Sequence, residues 1–161
     1  MIKILVNLLV LFLIVFPAPH SAGEPKEYVS PNGEYRAYVR TIKNPDSGVR
    51  ESDILIKKKN GDLKISKSYH SPFSSRYGLF IVKAAWSADS KFFVYSMFSD
   101  LPGHRTWHHP TFFISIDKYH TISIDDIYGP IVYPDFRLSP PDIIHLVALN
   151  GVIMDEVPID E

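Results

Sequence analysis

The stretch that most constrains this chain is Trp86-Ser87-Ala88-Asp89-Ser90-Lys91-Phe92-Phe93-Val94-Tyr95-Ser96-Met97-Phe98. Its small polar residues mark a tight turn, because Ser and Asp side chains bond to nearby backbone groups. From Phe92 to Phe98 the residues are large and apolar at almost every position. In a strand, alternate side chains point to opposite faces. Phe92, Val94 and Phe98 then share one face, and Phe93, Tyr95 and Met97 the other. A strand that is apolar on both faces must be covered on both. A single sheet with one wet side is therefore excluded.

The remaining segments supply the cover. Ser30-Pro31-Asn32-Gly33-Glu34 is a turn, because Pro presets one dihedral and Asn-Gly accepts positive φ. The strand Tyr35 to Thr41 comes next, with Tyr35, Ala37 and Val39 on one face and Arg36 and Arg40 on the other. Residues 43–52 read as a polar loop. Asp53 to Lys59 and Asp62 to Ser66 read as strands joined at Asn60-Gly61, with the lysine run 57–59 as a solvated edge. Residues 69–78 form a second loop. Leu79 to Trp86 alternates, placing Phe80, Val82, Ala84 and Trp86 against Ile81, Lys83 and Ala85. Residues 99–110 make a third loop. Thr111 to Ile116 and Thr121 to Ile124 read as a second hairpin. Ser139-Pro140-Pro141-Asp142 resembles a helix start and predicts a short C-terminal helix over Ile143 to Leu149.

The N-terminus has a different character. Lys3 precedes an apolar run from Ile4 to Phe16 broken only by Asn7; Pro17, Pro19 and Ser21-Ala22-Gly23 come after it. This is the layout of a secretory signal peptide. The run is shorter than the ~20 residues of a spanning helix, so cleavage is expected rather than stable membrane insertion. Residues 24–161 then form a single domain. The chain has no cysteines, which excludes disulfides, thiolate metal sites and a Cys nucleophile. Its net charge of −1 gives no field favouring nucleic acid.

Two turn-strand units match. Ser30-Pro31-Asn32-Gly33-Glu34-Tyr35 aligns with Ser87-Ala88-Asp89-Ser90-Lys91-Phe92, an offset of 57 residues from Ser30 to Ser87. In the hairpins after these turns, Ile54-Leu55-Ile56 aligns with Phe113-Ile114-Ser115 at an offset of 59, from Ile54 to Phe113. Repetition on this scale implies stacked units. The two units resemble the blade repeats of TolB-type β-propellers, with a Trp-Ser-Pro-Asp-Gly-Lys-like turn feeding an alternating strand. The resemblance covers about residues 28–125. It departs from the pattern at Ala88 and Ser90, where Pro and Gly are usual. It implies an all-β antiparallel fold, with two blade-like four-stranded sheets packed together as part of a propeller, and a periplasmic protein-interaction role. Two units cannot close a ring, so an oligomer assembled between chains stays open.

The loop His104, Arg105, Trp107, His108, His109 concentrates the residues that could carry chemistry. Two histidines four apart suit a metal on a helix, but Pro102, Gly103 and Pro110 oppose a helix there. Adjacent His108 and His109 would point apart if extended. No Gly-x-Ser-x-Gly elbow is present, and the pair Asp125 and Asp126 suits a turn better than a general acid–base pair. These five loop residues are therefore assigned to ligand binding, with no catalytic residue, metal or cofactor. The chain reads as a periplasmic or secreted module of bacterial type whose partner is another protein or an envelope component. The alternative is a small secreted hydrolase or metal-dependent enzyme using the same loop. Expression in an exporting host should yield a mature chain starting at Glu24, read by intact mass. Full-length protein retained in the membrane fraction would contradict the cleavage.

Overall fold

A computed structural model describes residues 23–44, 48–69, 78–99, 108–140, 142–147 and 153–158. Residues 1–22, where a signal segment is expected, and residues 100–107, with His104, Arg105 and Trp107, lie outside the described residues. Among those described, strands dominate. The first sheet contains β1 (Lys26–Val29), β2 (Tyr35–Lys43), β3 (Arg50–Lys58) and β4 (Leu63–Ser68), paired antiparallel in that order. The second contains β5 (Leu79–Trp86), β6 (Phe92–Ser99), β7 (Thr111–Ser115) and β8 (His120–Ser123), again antiparallel in chain order. One short helix, α1 (Ile124–Tyr128), comes after β8. A three-stranded sheet of β9 (Arg137–Ser139), β10 (Ile143–Val147) and β11 (Ile153–Pro158) completes the fold.

The double-faced strand is β6, and it is covered on both sides. Phe93, Tyr95 and Met97 pack against Ala37, Val39, Ile54 and Ile56 of the first sheet. Phe92 and Val94 pack with Phe113 against Ile124, Ile131, Phe136, Ile144 and Leu146. Each such large side chain contributes about 1.5–3 kcal/mol on burial. The fold is thus three layers with the second sheet in the middle.

The internal repeat holds to the level of single hydrogen bonds. In the first turn, Tyr35 N–H donates to Ser30 Oγ (2.9 Å), while Ser30 Oγ–H and Glu34 N–H both donate to Asn32 Oδ1. In the second, Phe92 N–H donates to Ser87 Oγ (3.0 Å), while Ser87 Oγ–H and Lys91 N–H both donate to Asp89 Oδ1. Strand register agrees: Ala37 faces Ile56, which faces Ile65, and Val94 faces Phe113, which faces Ile122. The offset is 57 throughout. The expected hairpin offset of 59 is therefore two residues out, because short apolar runs match in either register without the pairing to fix them. Residues at equivalent positions face the same way along the stack. Ala37 meets the second sheet, whereas Val94, its counterpart, meets the third layer.

Three further expectations are corrected. The alternation over Leu79–Trp86 is broken by a bulge at Val82: Ile81 pairs with Met97 and Lys83 with Ser96. The extra residue resets the phase, so Ile81 and Trp86 enter the same core while Val82 is 44% exposed. Residues 43–52 are not all loop. β3 begins at Arg50, and buried Ser52 accepts Ile81 N–H on its Oγ (3.0 Å), joining the first two sheets. The predicted helix over Ile143 to Leu149 is instead strand β10 as far as Val147, with 148 and 149 outside the described residues. β-Branched Ile143 and Ile144 favour a strand, Ile144 and Leu146 are buried as an alternating pair, and the Ser-Pro segment turns β9 into β10. The helix lies at 124–128 instead, where the hydroxyl of Ser123 caps it by accepting Asp126 N–H (3.3 Å).

Backbone permissiveness matters at two glycines. Gly33 carries the first turn at φ 70°. Gly78 lies so close to β3 that a Cβ there would sit 2.0 Å from Val49 Cγ1. Ser90 occupies Gly33's position in the second turn and adopts φ 66° despite its side chain. Its hydroxyl accepts Asn32 N–H (3.0 Å), tying one turn to the other. Beside it, Trp86 Nε1–H donates to Tyr28 C=O (2.9 Å). Ser90→Ala, which keeps the strained φ and loses the bond, should destabilise by about 1 kcal/mol. Ser90→Gly should cost less, because relief of the left-handed strain offsets the lost bond. Urea unfolding of both variants checks the order.

Candidate functional site

The strand directions decide which connections lie together. In each four-stranded sheet the tight turns lie at one end: 30–34 and 59–62 in the first, 87–91 and 116–119 in the second. The Asn32–Ser90 bond aligns those ends. The longer connections therefore leave from and return to the opposite end. They join β2 to β3, β4 to β5 and β6 to β7, and α1 continues from β8 there.

His108 and His109 stand where the β6–β7 connection re-enters the sheet. His108 Nε2 lies 3.4 Å from Asp125 Oδ2, with both side chains largely shielded. The Asp125 carboxylate also accepts Thr111 N–H (2.8 Å) and Ile131 N–H (3.3 Å). Burial pushes its pKa above the ordinary carboxylate value, and the two backbone donors and His108 only partly offset this. Asp125 is thus a fastener between β7, α1 and the segment leading to β9. The sequence offered a turn role for it but no sign of His108 as partner, since the two are far apart along the chain.

His109 is held differently. Its ring stacks on Phe98 at 5.3 Å with 24° between planes, and its N–H donates to Ile131 C=O (2.7 Å). Its Nδ1 is buried and meets no partner in hydrogen-bonding geometry among the described residues. Burial lowers its pKa, against a weaker pull from the Met97 backbone. Next to it, Thr111 Oγ1–H donates to His109 C=O (2.8 Å) and Ser96 Oγ lies 2.9 Å from Thr111 Oγ1. The adjacent histidines therefore make different contacts, His108 with Asp125 and His109 with Phe98. Among the described residues no group of three His, Cys, Asp or Glu side chains could hold a metal ion.

A second polar contact lies where the first two sheets meet. The hydroxyls of Tyr69 and Tyr95 are hydrogen-bonded, and Tyr95 stacks on Phe112. Burial raises both phenol pKa values, Tyr95 far more. Comparison with protein-family models and with curated proteins returned no match.

The histidine environment generates a pH prediction. The folded pKa of His109 lies below its ordinary value of 6.5. The unfolded chain then binds more protons in that window, so His109's contribution to stability is present above pH 6.5 and is lost as pH falls through the window. His109→Phe keeps the stack on Phe98 without the titration. Its melting temperature should fall less than the wild type's between about pH 7.5 and 6. Asp125→Ala, which leaves two backbone donors unpaired, should cost about 2–4 kcal/mol in chemical denaturation.

Proposed function

We propose that this chain is an exported β module that binds a protein or envelope ligand through the loops at one end of its sheets, chiefly residues 99–110, without catalysis. The observation that carries this reading is the pinned base of that loop. His108 Nε2 lies 3.4 Å from Asp125 Oδ2, His109 stacks on Phe98, and both sit at the end where the longer connections gather. A rigid base lowers the ordering cost of a binding loop. The TolB-type resemblance supports the reading: the unit recurs at a constant offset and its copies stack in one sense, as blades of a propeller do. On this reading His104, Arg105 and Trp107 supply the contacts and the module works in the periplasm or outside the cell. Among the described residues no helix is long and apolar enough to cross a membrane.

One observation favours a hydrolase as the second reading: the His108–Asp125 pair has the makings of a general base. The hydroxyls of Thr111 and Ser96 are bonded to each other, and Thr111 also to the His109 carbonyl. A photo-crosslinking residue at position 107 should capture an envelope component, while one at exposed Tyr119, at the opposite end, should not. Equal capture from both positions would reject the loop end. A hydrolytic activity lost in His108→Ala would favour the enzyme.

A further inference from the structure

The outer face of the first sheet is the counterpart of a face that the fold buries elsewhere. At the constant offset of 57, Arg36, Tyr38, Arg40, Leu55 and Lys57 correspond to Phe93, Tyr95, Met97, Phe112 and Ile114. Those five second-sheet residues pack in the core against the first sheet, so this is the side by which one unit seats on another. In the first sheet the centre stays apolar, with Tyr38 directly opposite Leu55 across the strands. Its surroundings become cationic: Arg replaces Phe93 and Met97, and Lys replaces Ile114.

The cations are held ready. Glu27 accepts from Arg36 (2.6 Å) and Asp53 from Arg40 (2.7 Å), each through one terminal nitrogen, while both arginine side chains remain 45% exposed. Lys57 Nζ lies 5.9 Å from the Tyr38 ring centroid. A shallow cavity of about 120 Å³ opens between Pro25, Tyr38, Arg40, Asp53 and Leu55. The wider charge balance agrees. Residues 26–68 carry ten Lys and Arg against six Asp and Glu, while residues 79–161 carry five against eleven. The first sheet is thus the basic pole of a chain whose net charge is −1.

We infer that the outer face of the first sheet is a docking surface for an acidic polypeptide segment that carries an apolar side chain among its carboxylates. The apolar side chain enters the cavity beside Tyr38 and Leu55. The flanking carboxylates meet Arg36, Arg40 and Lys57, a pairing suited to the guanidinium fork. Arg and Tyr around a small apolar pocket are the residue types that carry binding energy at interfaces. A second copy of this chain is the competing occupant, because residues 79–161 carry five Lys and Arg against eleven Asp and Glu, and it would show itself as self-association. This surface is separate from the loop end and does not depend on it.

Fluorescence anisotropy on the full chain tests the assignment. The probe is a labelled heptapeptide of six Asp and Glu residues around a central Leu, compared with its all-lysine counterpart and with a Ser-centred acidic peptide. The acidic Leu peptide should bind about tenfold or more tighter than the lysine one, and tighter than the Ser-centred one. Binding should weaken as salt shortens the screening length. The double variant Arg36→Glu with Arg40→Glu should lose about tenfold or more. Lys91→Glu with Lys118→Glu makes the same charge change in the turns of the second sheet, away from this face, and should lose less than about threefold. Circular dichroism confirms that each variant is folded; if the arginine pair fails, Arg40→Gln and Leu55→Ser take its place. Equal losses in the two double variants, or no preference for Leu, would overturn the proposal. So would binding of anionic phosphatidylserine vesicles but not the peptide, or self-association abolished by the arginine change.

Discussion

The structure depends on burying β6 from both sides at once. Phe93, Tyr95 and Met97 cannot leave water without the first sheet, and Phe92 and Val94 cannot without the third layer. Together these five side chains contribute on the order of 10 kcal/mol, comparable with the whole net stability of a small domain. Neither outer layer is therefore an appendage. Removing either would expose an aromatic face of the central sheet.

Local hydrogen bonding sets how the layers align. Each Ser-initiated turn satisfies its own backbone through one hydroxyl and one Asx oxygen. That leaves Asn32 N–H available to the neighbouring unit, and Ser90 takes it. Ser at a left-handed position looks like a poor choice when the turn is viewed alone. Beside the first turn it has a reason, because glycine would have no hydroxyl to offer. The presence of Ser90 where the first turn has Gly33 is thus tied to the contact between sheets.

Much of this is legible in the sequence, and the rest is hidden for identifiable reasons. The two faces of Phe92–Phe98 can be read from alternation alone, as can the recurring turn. The bulge at Val82 cannot, because Ile81-Val82-Lys83-Ala84-Ala85 fits either phase until a partner strand counts the residues. β10 passes for helix because Ser-Pro-Pro-Asp serves equally as a helix start or a strand turn, and so short an element cannot separate the two periods. At the candidate site, the sequence places His108 and His109 beside a β-strand and has them point apart. It cannot show that Asp125 meets His108, a contact made only when α1 folds back over the start of β7.

The same physics separates the two surfaces. At the loop end, side chains serve as fasteners: the Asp125 carboxylate meets Thr111, Ile131 and His108, and the His109 ring packs on Phe98. Such groups fix geometry and have little left to recognise a ligand. On the outer face of the first sheet the balance is reversed. Each arginine spends one terminal nitrogen on Glu27 or Asp53, and nearly half of its side chain faces solvent. A repeat that stacks by apolar contact must end somewhere, and charge at the terminal face keeps identical sheets from adding on. Arginine and tyrosine do more than solubilise such an end. They exclude the apolar sheet that the repeat would otherwise accept, and they leave a surface matched to carboxylates around an apolar anchor.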